Sequence, residues 1–250
     1  MRDVEADEPA RAGHRPSPLG RLGSGGAGRV FIYAGRRHGD ALPGQPRRGS
    51  SAYDYERRNR RPAAEYLLIS TDYVFDGAAR EDYSEFSSPN PINEYGKSKL
   101  AGERLAASIW PRTYVVRTAW LFGHRPKNYV DRVLSAADNG GVVRMADDQL
   151  ESPTYVPHLA AAICALMPTG AHGTYHVTSL GACTRLEFAR YVLSKAGRTV
   201  PVEKLESSAV PRAARRPGRT VLDCRLFRLV TGHELPAWQS GVDEYLRRQE

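Results

Sequence analysis

Cysteine is scarce: the 250 residues contain three, Cys164, Cys183 and Cys224, with no CxxC pair. That excludes a disulfide framework or a cysteine zinc site, and the thiols are expected to be reduced and packed as small hydrophobes. No run approaches 18 consecutive apolar residues, and Met1 to Ala10 is acidic without an apolar core. Neither membrane spanning nor classical secretion is indicated, and the cytoplasm is the expected compartment. Histidines 124, 158, 172, 176 and 233 lie apart in the sequence, so no metal cluster is expected. Lysine is rare as well, and residues 1–63 have none. That stretch carries 13 Arg, 7 acidic residues, ten Gly and six Pro, and holds +6 of the chain's net +8. A basic arm of this kind admits RNA binding. Gly and Pro mixed into it without apolar period read first as unstructured chain, so nucleic acid is not an expected partner.

What is present begins near Ala64, and 41% hydrophobic residues can furnish a core. Before that point only Arg29 to Ala34 is strand-like. Glu65 to Ser70 and Thr113 to Thr118 are short apolar runs of the kind that form strands buried on both faces of a parallel sheet. Asn93 caps a predicted helix over Glu94 to Ser108 with an apolar face of Leu100, Ala101, Leu105 and Ile109, and Pro111 stops it. Strand, helix and strand make a βαβ unit. Further on, Val142 to Met145 is a predicted strand, Pro157 opens a predicted helix over His158 to Met167, and Thr174 to Thr178 alternates as a strand. Thr184 and Glu187 form a capping box for a helix that ends at Gly197, and Pro211 to Arg219 reads as a loop.

Tyr95 and Lys99 are four residues apart on the predicted helix and so share a face. Ser70, Thr71 and Asp72 end the strand before it, and in open α/β sheets reactive groups gather at the carboxyl ends of strands. This grouping suits carbonyl reduction. An ammonium beside a phenol lowers its pKa from about 10 toward the range of a general acid, so Tyr95 would donate a proton to the carbonyl oxygen while Thr71 hydrogen-bonds it. By spacing alone, Tyr95 reads first as an interface aromatic and Lys99 as a solvated charge. Asp72 could tune the donor or cap a turn.

The segments Ser70 to Gly77 (STDYVFDG), Tyr95 to Glu103 (YGKSKLAGE), Val115 to Gly123 (VVRTAWLFG), Asp147 to Val156 (DDQLESPTYV) and Arg215 to Phe227 occur in an order that resembles the dTDP-4-dehydrorhamnose reductases. These belong to the extended short-chain dehydrogenase/reductases. The resemblance covers about residues 65 to 248 and implies an α/β fold, a Rossmann-like parallel sheet with a smaller C-terminal α/β substrate-binding domain. It implies NADPH, or NADH, as cofactor and a nucleotide-sugar substrate whose 4-keto group is reduced, and it admits a homodimer. Some members use magnesium, but no residue here identifies a metal site. Thr71, Tyr95 and Lys99 match the catalytic residues. Ser70, Tyr95, Lys99 and Thr118 are expected at the cofactor, and Asp72, Tyr73, Trp120, Asn128, Gln149 and Thr154 at the substrate. Glu151 replaces the usual glycine, and a positive φ there would strain the loop.

The resemblance divides the chain into residues 1–64, 65–125 as the catalytic second half of the Rossmann-like domain, and 126–250 as mainly substrate-binding, with 154–180 returning to the sheet. A Gly-rich turn after a strand should open the first part, and 64 residues are too few for the βα units of that half. Gly20, Gly23 and Gly26, or Gly23, Gly25 and Gly28, match the glycine spacing but follow Arg15 to Pro18, no strand. A truncated start, a frameshifted stretch or genuine loss of the cofactor half is the expected explanation. The alternative function is therefore a non-catalytic relative that has lost cofactor binding and keeps a nucleotide-sugar or protein-binding surface. A third reading is an epimerase or dehydratase acting on another nucleotide sugar.

Overall fold

The computed structural model describes residues 30–34, 65–124, 128–205 and 214–248. The glycine matches between Gly20 and Gly28 lie outside the described residues. In chain order the elements are β1 (Val30–Ala34), β2 (Glu65–Thr71), α1 (Glu94–Ile109), β3 (Thr113–Thr118), β4 (Leu121–Phe122), α2 (Tyr129–Asp138) and β5 (Val143–Ala146), then β6 (Thr154–Tyr155), α3 (Val156–Leu166), β7 (Gly173–His176), α4 (Arg185–Lys195), β8 (Val202–Leu205), α5 (Arg225–Thr231) and α6 (Trp238–Arg247).

Four strands form a parallel sheet in the order β1-β2-β3-β7, the Rossmann-like α/β arrangement expected from the sequence. All six residues of β3 are buried, which explains why it reads as a continuous apolar run rather than an alternating one. The β2–β3 register ends on Thr71 opposite Thr118, so two hydroxyl residues stand side by side at the carboxyl edge. Against this sheet pack α3 and α5, through a core of Leu67, Tyr114, Val116, Leu159, Leu166 and Phe227. A second core joins α2, α4 and α6 around Phe122, Val133, Phe188, Trp238 and Tyr245. Beside it lie two small parallel pairs, β4 with β6 and β5 with β8.

Several expectations shift by a residue: β2 gains Thr71, α1 gains Ile109, and the strand placed at Val142 runs from Val143 to Ala146. The helix placed at His158 begins at Val156, with Pro157 inside its first turn. The strand placed at Thr174 to Thr178 spans Gly173–His176. The capping box of Thr184 and Glu187 is present. One face is corrected. The buried side of α1 is Gly96, Leu100, Glu103 and Ala106, while Leu105 and Ile109 are about two-fifths exposed, at 39% and 41%. The cause is a buried ion pair. Glu103 pairs with Arg117 of β3, so a charged residue rather than an apolar one faces the sheet. The cysteines are unpaired, with Cys183 in the core but Cys164 exposed rather than packed.

Candidate active site

The site grows from the end of β2. Alternation along the strand sends Ser70 and Thr71 to opposite sides. The Ser70 hydroxyl donates to Glu103, deep in the ion pair with Arg117, instead of facing the edge where a cofactor was expected. Thr71 caps a short 3-10 turn over Asp72–Val74: its hydroxyl oxygen accepts from the Tyr73 N–H at 3.2 Å, and the hydroxyl donates to Asp72 Oδ1 at 3.0 Å. Asp72 is buried and accepts a second, close hydrogen bond from the Thr220 hydroxyl. Burial, and then the nearby carboxylate of Glu151, push its pKa up from 3.8 to about 8.

Helix α1 is brought against this turn by a glycine. A Cβ on Gly96 would lie 2.0 Å from the Tyr73 carbonyl oxygen, so only glycine lets the first turn approach so closely. Asn93 secures that turn, its side-chain oxygen accepting from the Gly96 N–H at 2.8 Å. The result sets the Tyr95 ring edge-on to Tyr73, with centroids 6.1 Å apart, and leaves Tyr95 43% exposed. One turn later Lys99 donates to the Ile69 carbonyl at 2.8 Å. Burial lowers its pKa, opposed by Glu103.

Tyr73, Gln149 and Trp120 converge on a residue that sequence reasoning missed, Arg185. The Tyr73 hydroxyl donates to Glu151 Oε1 at 3.2 Å. Arg185 donates to both Glu151 oxygens at 3.2 and 3.1 Å and to Gln149 Oε1 at 3.3 Å. Its guanidinium lies 4.5 Å from the centre of the Trp120 ring and 5.6 Å from that of Tyr129. Burial alone would lower the Arg185 pKa, but Glu151 and its other neighbours raise it. The capping box that places Arg185 at the first position of α4 was legible, but the burial of a charge there was not. Thr220 was likewise missed as the partner of Asp72, although it lies in the segment Arg215 to Phe227 that carried the resemblance.

Glu151 needs no unusual backbone. Glu151 does not have a positive φ, so the condition for strain there is not met; among the described residues the only non-glycine with positive φ is Trp120, at 39°. Two other expected substrate residues are engaged internally. Asn128 caps α2, accepting from the Val130 and Asp131 N–H groups and donating to Gly123, Asp131 and Tyr245. Thr154 is fully buried, donates to the Ser152 carbonyl and accepts from the Ser179 N–H.

Buried polar atoms normally find partners, so an orphan marks a place where a ligand can supply one. Two of the buried side-chain atoms without a partner belong to the end of β3 and the residues just after it: the Thr118 hydroxyl, on the residue opposite Thr71, and the indole N–H of Trp120, whose ring packs against Tyr129, Phe188 and Arg185. Together with the Lys99 ammonium, which α1 holds at the Ile69 carbonyl of β2, the Thr118 hydroxyl fits the ribose and nicotinamide side of a dinucleotide. Among the described residues no group of three or more His, Cys, Asp or Glu could hold a metal ion, and no helix is long and apolar enough to cross a membrane.

Comparison with known proteins agrees with this architecture. The spore coat polysaccharide biosynthesis protein SpsK of Bacillus subtilis is 32% identical over 201 residues, covering 80% of this chain and 70% of that protein. The dTDP-4-dehydrorhamnose reductase of Mycobacterium tuberculosis (strain H37Rv) is 35% identical over 189 residues, 73% of this chain and 62% of that one. Among solved structures, the dTDP-4-dehydrorhamnose reductase of Bacillus anthracis in complex with NADP superposes with a TM-score of 0.74 at 34% identity, covering 79% of this chain and 70% of that chain. The chain thus spans about two thirds of the length of these relatives. The family model described as the RmlD substrate binding domain matches residues 58–250, most of the sequence, and the chain belongs to that family.

Proposed function

We propose that the chain reduces the 4-keto group of dTDP-4-dehydro-L-rhamnose to an alcohol with NADPH, forming dTDP-L-rhamnose. One observation carries the reading: Thr71 stands opposite Thr118, whose hydroxyl is buried and unpartnered, at the carboxyl edge of the sheet, and it is supported by the Tyr95 ring edge-on to Tyr73 and by Lys99 donating to the Ile69 carbonyl. The relative in complex with NADP supports the cofactor, and the reductases among its relatives support the substrate. In this reading residues 65–125 form the catalytic half of the Rossmann-like domain and 126–250 mainly the substrate side. The cytoplasm is the compartment it implies.

Lys99 and Thr118 would hold the cofactor. When bound, the reduced nicotinamide supplies the hydride that the carbonyl carbon takes up. Tyr95, on the open side of α1, gives its phenolic proton to the carbonyl oxygen. The Thr71 hydroxyl turns from Asp72 to the same oxygen and stabilises the charge that develops there. Lys99 is fixed by the Ile69 carbonyl one helical turn from Tyr95, where its positive charge favours the phenolate that remains. Trp120 and Tyr73 wall the sugar.

A fluorescence titration of the purified chain with NADPH tests the reading before any keto-sugar is made. Saturable micromolar binding, followed by NADPH oxidation that depends on the keto-sugar, supports it. Folded protein that binds no NADPH overturns it and leaves a non-catalytic relative.

A further inference from the structure

The hydroxyl of Tyr73 has one proton, and the structure fixes where it goes. Its partner Glu151 is buried, accepts from Arg185 through both carboxylate oxygens, and stands 3.2 Å from the phenol. A carboxylate paired in this way can only accept, so the phenol must donate to it. Burial and the charges of Glu151 and Asp72 raise the Tyr73 pKa, which keeps that proton on the phenol. With its proton committed, the phenol oxygen offers a ligand only lone pairs. It can read a hydroxyl but not a carbonyl.

We propose that Glu151, held by Arg185, is a positioning residue that makes Tyr73 an acceptor-only reader of a sugar hydroxyl beside the reacting carbonyl. Three observations on the molecule support it. Tyr73 is two residues from Thr71 and its ring is edge-on to Tyr95, so it borders the reacting centre. Tyr73 is only half-buried, whereas Glu151 is 3% exposed, so the phenol meets the ligand and the carboxylate acts through it. Arg185 is clamped in turn between Gln149 and the faces of Trp120 and Tyr129, which fixes the carboxylate's orientation. Thr71 and Tyr95 present donors to the carbonyl oxygen, and Tyr73 presents an acceptor to its neighbour. The site thereby distinguishes a keto-sugar with an adjacent hydroxyl from one deoxygenated there.

This inference rests on the substrate reading above, and binding rather than turnover tests it. The probes are dTDP-L-rhamnose, its 3-deoxy analogue, which lacks the hydroxyl next to C4, and its 2-deoxy analogue as the control, titrated against the full chain by calorimetry. Wild-type protein is expected to bind the 3-deoxy analogue roughly 10- to 100-fold more weakly than the parent, the effect of leaving a shielded acceptor without its donor. Y73F should bring the two within about 3-fold of each other. E151Q keeps an oxygen that both Tyr73 and Arg185 can donate to, and should retain the discrimination. Because removal of Glu151 alone strands the Arg185 charge, the informative loss is the double variant E151M/R185M, which replaces both charges with apolar chains of similar length. It should lose the discrimination while still binding the 3-deoxy analogue. Wild-type protein that binds the parent and the 3-deoxy analogue equally, or Y73F or E151M/R185M that keeps the full wild-type ratio, overturns the proposal. Wild-type protein that binds none of the three overturns the substrate reading itself, and the proposal falls with it.

Discussion

Replacing Glu103 by alanine should cost more stability than removal of any surface ion pair. Its carboxylate accepts from Arg117 Nε at 3.0 Å and from an Arg117 terminal nitrogen at 2.7 Å, with both side chains only 6% exposed, and also receives the Ser70 hydroxyl. E103A leaves the guanidinium between the Phe75 ring at 5.3 Å and His176 at 3.5 Å. Neither Phe75 nor His176 can neutralise it, because burial and Arg117 itself hold His176 uncharged, and the nearby carboxylate that still feels its charge is Glu85, engaged by the His176 N–H. Stranding one member of a buried pair costs about 3–5 kcal/mol, a large share of the roughly 5–15 kcal/mol that stabilises a typical domain. Urea unfolding followed by far-ultraviolet circular dichroism and by tryptophan fluorescence measures the loss. E203A removes the Arg144–Glu203 pair, whose side chains are 61% and 53% exposed, and should cost less than about 1 kcal/mol. The double variant E103M/R117M should recover much of the loss, since no charge is left unpaired. An E103A penalty below about 1 kcal/mol, or a double variant no better than the single, refutes the view that charge burial anchors α1 to the sheet.

Three further outcomes follow from the site. Y95F should lower turnover by about 100-fold or more with little change in sugar-nucleotide affinity, read from steady-state NADPH oxidation and calorimetry; near-wild-type turnover removes Tyr95 from the mechanism. His176, driven by burial and by Arg117 from 6.5 to about 3, stays neutral in the fold while the unfolded chain takes up a proton below pH 6.5. Its contribution is intact above pH 6.5 and is lost as pH falls toward 3, by up to about 1.4 kcal/mol per pH unit, so H176Q should show a shallower acid slope in denaturation midpoints. Asp72 has the opposite sign: with its folded pKa raised from 3.8 to about 8, the fold keeps a proton that the unfolded chain releases, and stability declines as pH rises through that window. D72N lacks that decline and should gain on wild type between pH 4 and pH 8; parallel pH profiles would refute the assignment.

The parts of the fold that were legible are those where one local signal decides the structure. β2 and β3 are short runs covered on both faces, α1 is bounded by its Asn93 cap and Pro111, and α4 carries its own capping box. The apolar face of α1 was misread because its contact with β3 is made by Glu103 and Arg117, and hydrophobic periodicity does not register a buried charge pair. β8 was missed because two of its four residues, Glu203 and Lys204, are exposed charges on a short strand. Of the residues proposed for the site, Thr71, Tyr95 and Lys99 are those that spacing and resemblance single out. The link from Tyr73 through Glu151 to Arg185 was not, since it joins positions 73, 151 and 185 across three separate segments of chain. Asn128 shows the reverse case, a residue expected at the substrate whose side chain is engaged in capping a helix.

Two polar networks meet at consecutive residues of β2 and yet should act independently. Ser70 belongs to the lower one, with Glu103, Arg117 and His176, and Thr71 to the upper one, with Asp72, Thr220 and, through Tyr73, Glu151 and Arg185. Strand alternation puts the sheet between them. The charge that shifts Asp72 fits this: the carboxylate that raises it is Glu151 of the upper network. Glu103 acts instead on Lys99. The stability effects of E103Q and D72N should therefore add to within about 0.5 kcal/mol, as for sites that share no partner, even though they perturb neighbouring positions of one strand. D72N and E151Q act on charges that see each other directly, and their cycle should show coupling of about 0.5 kcal/mol or more at pH 8. Urea denaturation of the two double-mutant cycles at that pH measures both quantities. Coupling above about 1 kcal/mol between E103Q and D72N would mean that the scaffold ion pair and the carboxylates of Asp72 and Glu151 form one network, and that α1 cannot be anchored without setting the charge of the site.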